Sequence, residues 1–128
     1  MFNAIVLQID TNGYTVKYGV KEIGLSVSEG KRIYPDFYFI KEGKNKGVII
    51  EFFGNYFHAN PEIYNEDDII SRYYGKTLSK EIWAFDKKRI DILKEKHNVL
   101  IIWEKDYKNN KNAIVEKCIK FIKEYKNE

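Results

Sequence analysis

The sequence predicts an α/β protein with a mixed central β-sheet flanked by helices and opened by an N-terminal β-hairpin. Three observations carry this. Alternating apolar residues flank an Asn12-Gly13 pair near the start, a strong hairpin signal. Two continuous apolar runs, Val48 to Phe53 and Val99 to Trp103, have the length and β-branched content of strands buried on both faces. Helical spacing occupies Thr77 to Lys96 and the last segment of the chain, so that hairpins are followed by helix, strand and helix.

In order along the chain, Phe2 to Gln8 and Tyr14 to Val20 read as the two strands of the opening hairpin. Lys21 to Leu25 is a weaker strand, Ser26 to Lys31 a turn, and Ile33 to Ile40 an aromatic-rich strand with Asp36 in its middle. Lys41 to Lys46 is a polar loop into the central strand. Gly54-Asn55 ends that strand, and Asn60-Pro61 forms a turn just beyond His58. Pro61 to Lys76 is polar and irregular, which predicts a mobile segment. In the helix from Thr77 to Lys96, capped by Thr77 or Ser79, the inner stripe is Ile82, Asp86, Ile90 and Leu93. His97-Asn98 is a turn and Glu104 to Asn112 a lysine-rich loop. Ile114, Cys118, Phe121, Ile122 and Tyr125 then repeat at helical spacing, which makes Cys118 buried packing material.

A chain of 128 residues, 44% hydrophobic and 16% aromatic, fits one compact domain over 1–128, without repeats or low-complexity stretches. No apolar run has membrane-spanning length and no signal-peptide pattern opens the chain, so the expectation is a soluble cytoplasmic protein with no membrane partner. The lone Cys118 can form neither an internal disulfide nor a cysteine-based zinc site, in keeping with a reducing compartment. The net charge of +3 permits nucleic-acid binding without demanding it.

The chemistry concentrates around the central strand. Burying the Glu51 carboxylate within an apolar run is unfavourable without a partner. Strand alternation places Tyr34, Asp36 and Tyr38 on one face, and Ile49, Glu51 and Phe53 on one face of the next strand, so neighbouring strands can juxtapose Asp36 with Glu51. Two such carboxylates repel unless a cation lies between them, and Mg²⁺ suits that charge and those oxygen donors. Asp86, on the buried stripe of a helix, also needs a partner. The His58 imidazole is a suitable one, since a carboxylate on one ring nitrogen fixes the tautomer and raises the basicity of the other. The competing reading makes Asp36, Glu51 and His58 separate structural residues, each hydrogen-bonded. Trp83 and Trp103 read as core packing.

The segments Tyr34-Pro35-Asp36-Phe37, Ile50-Glu51-Phe52-Phe53-Gly54-Asn55-Tyr56-Phe57-His58-Ala59-Asn60-Pro61, Ile82-Trp83-Ala84-Phe85-Asp86-Lys87-Lys88-Arg89 and Val99-Leu100-Ile101-Ile102-Trp103-Glu104, in that order and spacing, resemble the very short patch repair endonucleases. They resemble still more closely the related phage-type EDxHD homing endonucleases. The resemblance spans roughly Glu22 to Asn110 and implies a restriction-endonuclease-like core, a single nuclease catalytic domain, and Mg²⁺-dependent hydrolysis of DNA phosphodiester bonds, with Mn²⁺ as a substitute metal.

By the same resemblance, Asp36 matches the metal-binding aspartate, His58 the histidine that activates water, and Asp86 the aspartate that orients it. The family's first acid falls at Glu22 or at Glu29. The third metal-ligand position falls on the Glu51 side chain or the Phe52 backbone carbonyl. The wider fold's lysine would stand at Phe53, which can do no acid-base work, and the structural zinc site of the repair enzymes cannot be built here. Both departures favour a phage or mobile-element homing nuclease over mismatch repair. Asn60, Lys76, Lys80, Lys87, Lys88 and Arg89 are candidate nucleic-acid contacts, against the plainer readings of turn capping for Asn60 and a solvated helix face for the cations. DNA is the expected partner, with no small-molecule cofactor, and with target recognition supplied by a homodimer or a fused or associated region. The alternatives are a non-catalytic DNA-binding module of the same fold, or a repair-type or RNA-directed nuclease.

Overall fold

A computed structural model of the chain describes residues 1–19, 25–26, 32–72 and 75–128. Its elements, in chain order, are α1 (Phe2–Val6), β1 (Tyr14–Tyr18), β2 (Leu25–Ser26), β3 (Arg32–Ile33), β4 (Phe37–Lys41), β5 (Val48–Phe53), β6 (Ile69–Arg72), β7 (Gly75–Leu78), α2 (Ser79–Lys94), β8 (Asn98–Trp103), α3 (Glu104–Asn109) and α4 (Lys111–Lys126). The central sheet runs β1-β4-β5-β8. Its first two pairings are antiparallel, and β5 lies parallel to β8 in the register Val48↔Asn98 to Phe53↔Trp103. The fold is therefore mixed α/β with a mixed central sheet.

Side-chain alternation divides the core between the two faces of the sheet. On one, Phe37, Phe39, Val48, Ile50 and Ile102 pack with Ile5 of α1 and with Val115, Cys118, Ile122 and Tyr125 of α4. On the other, Tyr38, Ile49 and Phe53 pack with Ile90 and Leu93 of α2. Helices cover both faces of β5, which is why this strand is apolar throughout apart from Glu51. Each fully buried Phe or Ile contributes roughly 1.5–3 kcal/mol, so these layers carry most of the hydrophobic stabilisation. The start of β5 is pinned at Gly47. A Cβ there would stand 2.8 Å from the Phe39 carbonyl oxygen, and the Gly47 N–H donates to His97 Nδ1 at 3.0 Å. Burial, aided by the charge of Lys96, holds the His97 pKa below its ordinary value, as suits a neutral acceptor.

Five expectations are corrected. Phe2–Val6 is helical, so there is no N-terminal hairpin: Ile5 is fully buried while Phe2 stacks on Phe37 at 5.3 Å, and the spacing that reaches the core is that of a helix turn. The Asn12-Gly13 turn is real, with Gly13 at φ +80°, but the strand it launches pairs with β4 (Tyr14↔Lys41). The aromatic run from Ile33 to Ile40 is broken at Tyr34-Pro35-Asp36, because proline cannot donate to a ladder, and Asp36 therefore precedes β4 instead of lying inside a strand. The polar stretch before α2 holds the hairpin of β6 and β7, whose Ile70 is fully buried and packs in one cluster with Ile82 and Ala59. Thr77 consequently belongs to β7. The N-cap of α2 is Leu78, whose N–H donates to the Glu81 carboxylate at 3.4 Å. Finally, most of the lysine-rich segment after β8 is α3. Val20, the expected weak strand from Lys21 as far as Gly24, the expected turn over residues 27–31, and the acids Glu22 and Glu29 lie outside the described residues.

Candidate active site

The candidate site gathers at the C-terminal end of β5. Antiparallel register pairs Phe37 with Ile50, so Asp36, one residue earlier, stands opposite Glu51. Its carboxylate accepts the Phe52 N–H at 2.8 Å, continuing the ladder through a side chain where β4 has not yet begun. Asp36 is half-buried and, with Phe52 and Tyr107, borders a cavity of about 380 Å³. Glu51 points to the α2 face and is 3% exposed. There Arg89 of α2 meets it: one guanidinium nitrogen lies 3.2 Å from each carboxylate oxygen and 3.1 Å from the Tyr34 carbonyl. Burial nevertheless prevails. It pushes the Glu51 carboxyl up to about 7, the charge of Asp36 adding to the effect and Arg89 opposing it.

One helix turn before Arg89, Asp86 faces the same sheet. Its Oδ2 lies 2.8 Å from His58 Nδ1, and both side chains are largely withdrawn from solvent, His58 at 29% and Asp86 at 11% exposed. The imidazole lies flat on Phe53, with centroids 4.0 Å apart and planes at 2°. Phe53 thus sets the ring plane of the residue that Asp86 orients. With Nδ1 committed to the carboxylate, Nε2 is the nitrogen left for chemistry.

The turn that delivers His58 is fixed from several sides. Its N–H donates to the Gly54 carbonyl at 3.2 Å, and the following Ala59 takes a left-handed φ of +48°. The Trp83 indole N–H donates to the Ala59 carbonyl at 2.6 Å. Asn55 Oδ1 accepts from the Asn60 side chain at 3.0 Å and from the Lys105 N–H at 3.1 Å, while the Asn55 N–H donates to Glu104 at 2.9 Å. This lashes the turn to the first residues of α3. Asn60 is only 2% exposed and its carbonyl Oδ1 accepts the Glu62 N–H, as its turn-capping reading requires.

The cations are redistributed as well. Arg89 is turned inward onto Glu51 instead of lying out among the helix lysines, with its side chain still 26% exposed. Lys80 pairs with Asp67 at 3.1 Å and Lys87 with Asp91 at 2.6 Å, exposed pairs of small energetic weight, while Lys76 and Lys88 are simply exposed. The residues missed by sequence reading are Arg89 as the partner of Glu51, Phe53 as the platform for His58, and Asn55, Trp83 and Glu104 as fixers of the turn. For Arg89 a signal existed: it falls three residues after Asp86, on the same side of the helix.

As possible metal ligands, Asp36, Glu51 and the Phe52 carbonyl offer oxygen donors only, a set that fits Mg²⁺, which binds through one or two carboxylates and keeps several waters. Among the described residues no three His, Cys, Asp or Glu side chains converge as a metal-binding group. Nor, among them, is any helix long and apolar enough to cross a membrane. Searches of protein-family models, curated proteins and solved structures found no match to the chain.

Proposed function

We propose that this chain is a Mg²⁺-dependent DNA endonuclease on a restriction-endonuclease-like core, of the phage or mobile-element homing type. The observation that carries the reading is that one strand end serves both an acid pair and an oriented base: Asp36 stands opposite Glu51 on adjoining strands, and His58, held by Asp86, stacks on Phe53, two residues after Glu51 on β5. Mg²⁺, held by Asp36 with either the Glu51 side chain or the Phe52 carbonyl, would supply charge relief on the phosphoryl oxygens and the leaving oxygen. His58 does the proton chemistry. Asp86 accepts a hydrogen bond from Nδ1–H, which keeps that proton on the ring and leaves the Nε2 lone pair to take a proton from the attacking water. Stacking on Phe53 prevents the ring from turning away, and the partial exposure of His58 lets that proton pass on to solvent.

The test is a supercoiled plasmid incubated with the protein in Mg²⁺ or Mn²⁺, with and without EDTA, alongside Asp36→Ala and His58→Ala. Nicking or linearisation that needs the metal and both residues supports the reading. A second reading, a non-catalytic DNA-binding module of the same fold, is favoured by the pairing of Glu51 with Arg89 and of Asp36 with the Phe52 N–H. It predicts a mobility shift without cleavage. Cleavage of RNA in preference to DNA would move the substrate class.

A further inference from the structure

We infer that Arg89 is an internal counter-cation that occupies Glu51 until nucleic acid is bound, and so couples metal loading to substrate binding. The inference rests on the nuclease reading and deepens it. Both carboxylate oxygens of Glu51 are engaged by the same Arg89 nitrogen, 3.2 Å from each, and that nitrogen also reaches the Tyr34 carbonyl at 3.1 Å, two residues before Asp36. The guanidinium therefore bridges the two strand segments that offer the candidate metal ligands. A divalent ion at Asp36 and Glu51 would compete for oxygen atoms already taken and would be repelled by a positive charge a few ångströms away, in surroundings where that repulsion is weakly screened.

Arg89 has somewhere else to go. Its side chain is 26% exposed against 4% for Glu51, so the guanidinium sits at the mouth of the pair, where it can swing outward while the carboxylate cannot. A planar guanidinium binds a phosphate oxygen pair as readily as a carboxylate. A phosphodiester arriving at the site offers that exchange. Arg89 passes from Glu51 to phosphate, and the vacated carboxylate, beside Asp36, is left with the surplus negative charge that attracts a divalent ion. Coupling of this kind is reciprocal: DNA raises metal affinity by the same factor as metal raises DNA affinity.

Calorimetric titration of Mn²⁺ into the protein, alone and with a phosphorothioate duplex that resists cleavage, tests this. Wild type is expected to bind Mn²⁺ about tenfold more tightly with the duplex than without it. Arg89→Gln is expected to bind about tenfold more tightly than wild type when no DNA is present, and to lose most of the enhancement by DNA. Arg89→Met, which keeps the aliphatic stem and removes the charge, should behave alike and serves if the Gln variant fails to fold. Unchanged or weaker Mn²⁺ binding in the folded Arg89 variant, with Asp36→Ala abolishing binding, overturns the coupling while leaving the nuclease reading in place. Absence of Mn²⁺ binding in every protein, with or without duplex, overturns both.

Discussion

Glu51→Gln should stabilise the protein, and by an amount that grows with pH. In the fold the Glu51 carboxyl is pushed from the ordinary 4.5 up to about 7, burial outweighing the attraction of Arg89. The sign follows from proton counting. Between those two values the folded state holds a proton that the unfolded state has released, so stability falls as pH rises. Below 4.5 both states are protonated and nothing is lost; above about 7 the full penalty is present. The interval corresponds to about 3 kcal/mol. Glutamine mimics the protonated carboxyl, retains an acceptor for Arg89 and does not ionise. The variant should therefore match wild type near pH 4.5 and exceed it by about 3 kcal/mol at pH 8, roughly 10 °C in melting temperature for a chain of this size. Urea denaturation followed by circular dichroism at intervals from pH 4.5 to 8 measures the difference, with all other titrating groups shared between the two proteins. A difference that stays flat with pH, or a Gln variant less stable than wild type at pH 8, would mean that the ion pair outweighs burial and that Glu51 is already ionised when folded.

The His58–Asp86 pair should behave as a unit in plasmid nicking: His58→Ala and Asp86→Asn each lose activity, and the double variant loses little more than His58→Ala, whereas losses that multiply would return Asp86 to a structural role. Removing the imidazole also leaves a buried carboxylate without its partner, at about 1–3 kcal/mol in denaturant melts. Asp36→Asn keeps an acceptor for the Phe52 N–H while losing its charge, so cleavage should vanish with a change in stability below about 1 kcal/mol; retained cleavage removes Asp36 from the site. Gly47→Ala drives a Cβ against the Phe39 carbonyl at 2.8 Å and should destabilise by about 1–3 kcal/mol, which a melting curve reads directly. Cys118, fully buried and with its thiol pushed up to about 11, should resist maleimide labelling until the protein is unfolded; rapid labelling of the native state would show that the packing of α4 is wrong.

The sheet strands at Val48 to Phe53 and Val99 to Trp103, and the C-terminal helix, were legible because each is long and has one dominant period. The His58–Asp86 contact was legible for a similar reason: a carboxylate on the inner stripe of a helix has few ways of being satisfied. The N-terminal segment was not. Phe2, Ala4 and Val6 alternate, while Phe2, Ile5 and Ile9 recur at helical spacing, and in so short a stretch only the cavity beside Phe37 decides between them. The hairpin of β6 and β7 escaped because a two-stranded ribbon with one fully buried residue, Ile70, has almost no pattern to display. The pairing of Arg89 with Glu51 escaped for a more general reason. A cation among lysines on a helix resembles its neighbours in sequence, and what separates it from Lys87 and Lys88 is a carboxylate brought near by β5, from 38 residues away.

The arrangement on α2 bears on why such residues are there at all. Ile82, Ile90 and Leu93 dock the helix, and between them Asp86 and Arg89 reach the sheet one turn apart, the first to His58 and the second to Glu51. Docking needs only the apolar members. At the position of Glu51 an uncharged side chain would satisfy the same space without the loss of about 3 kcal/mol above neutral pH, a sizeable part of the 5–15 kcal/mol that holds an ordinary domain together. Local rules of burial are broken here twice where α2 meets the sheet, by Asp86 on the helix and by Glu51 on the strand, and a histidine held in a fixed plane sits on Asp86. Sites where a fold accepts instability are where chemistry or binding is to be sought first. That reasoning separates the proposed nuclease from a binding module in a way independent of cleavage: in a module that uses only its basic surface, replacing Glu51 and Asp36 together by their amides would raise stability, through Glu51, without weakening divalent-metal binding, because there would be none to weaken.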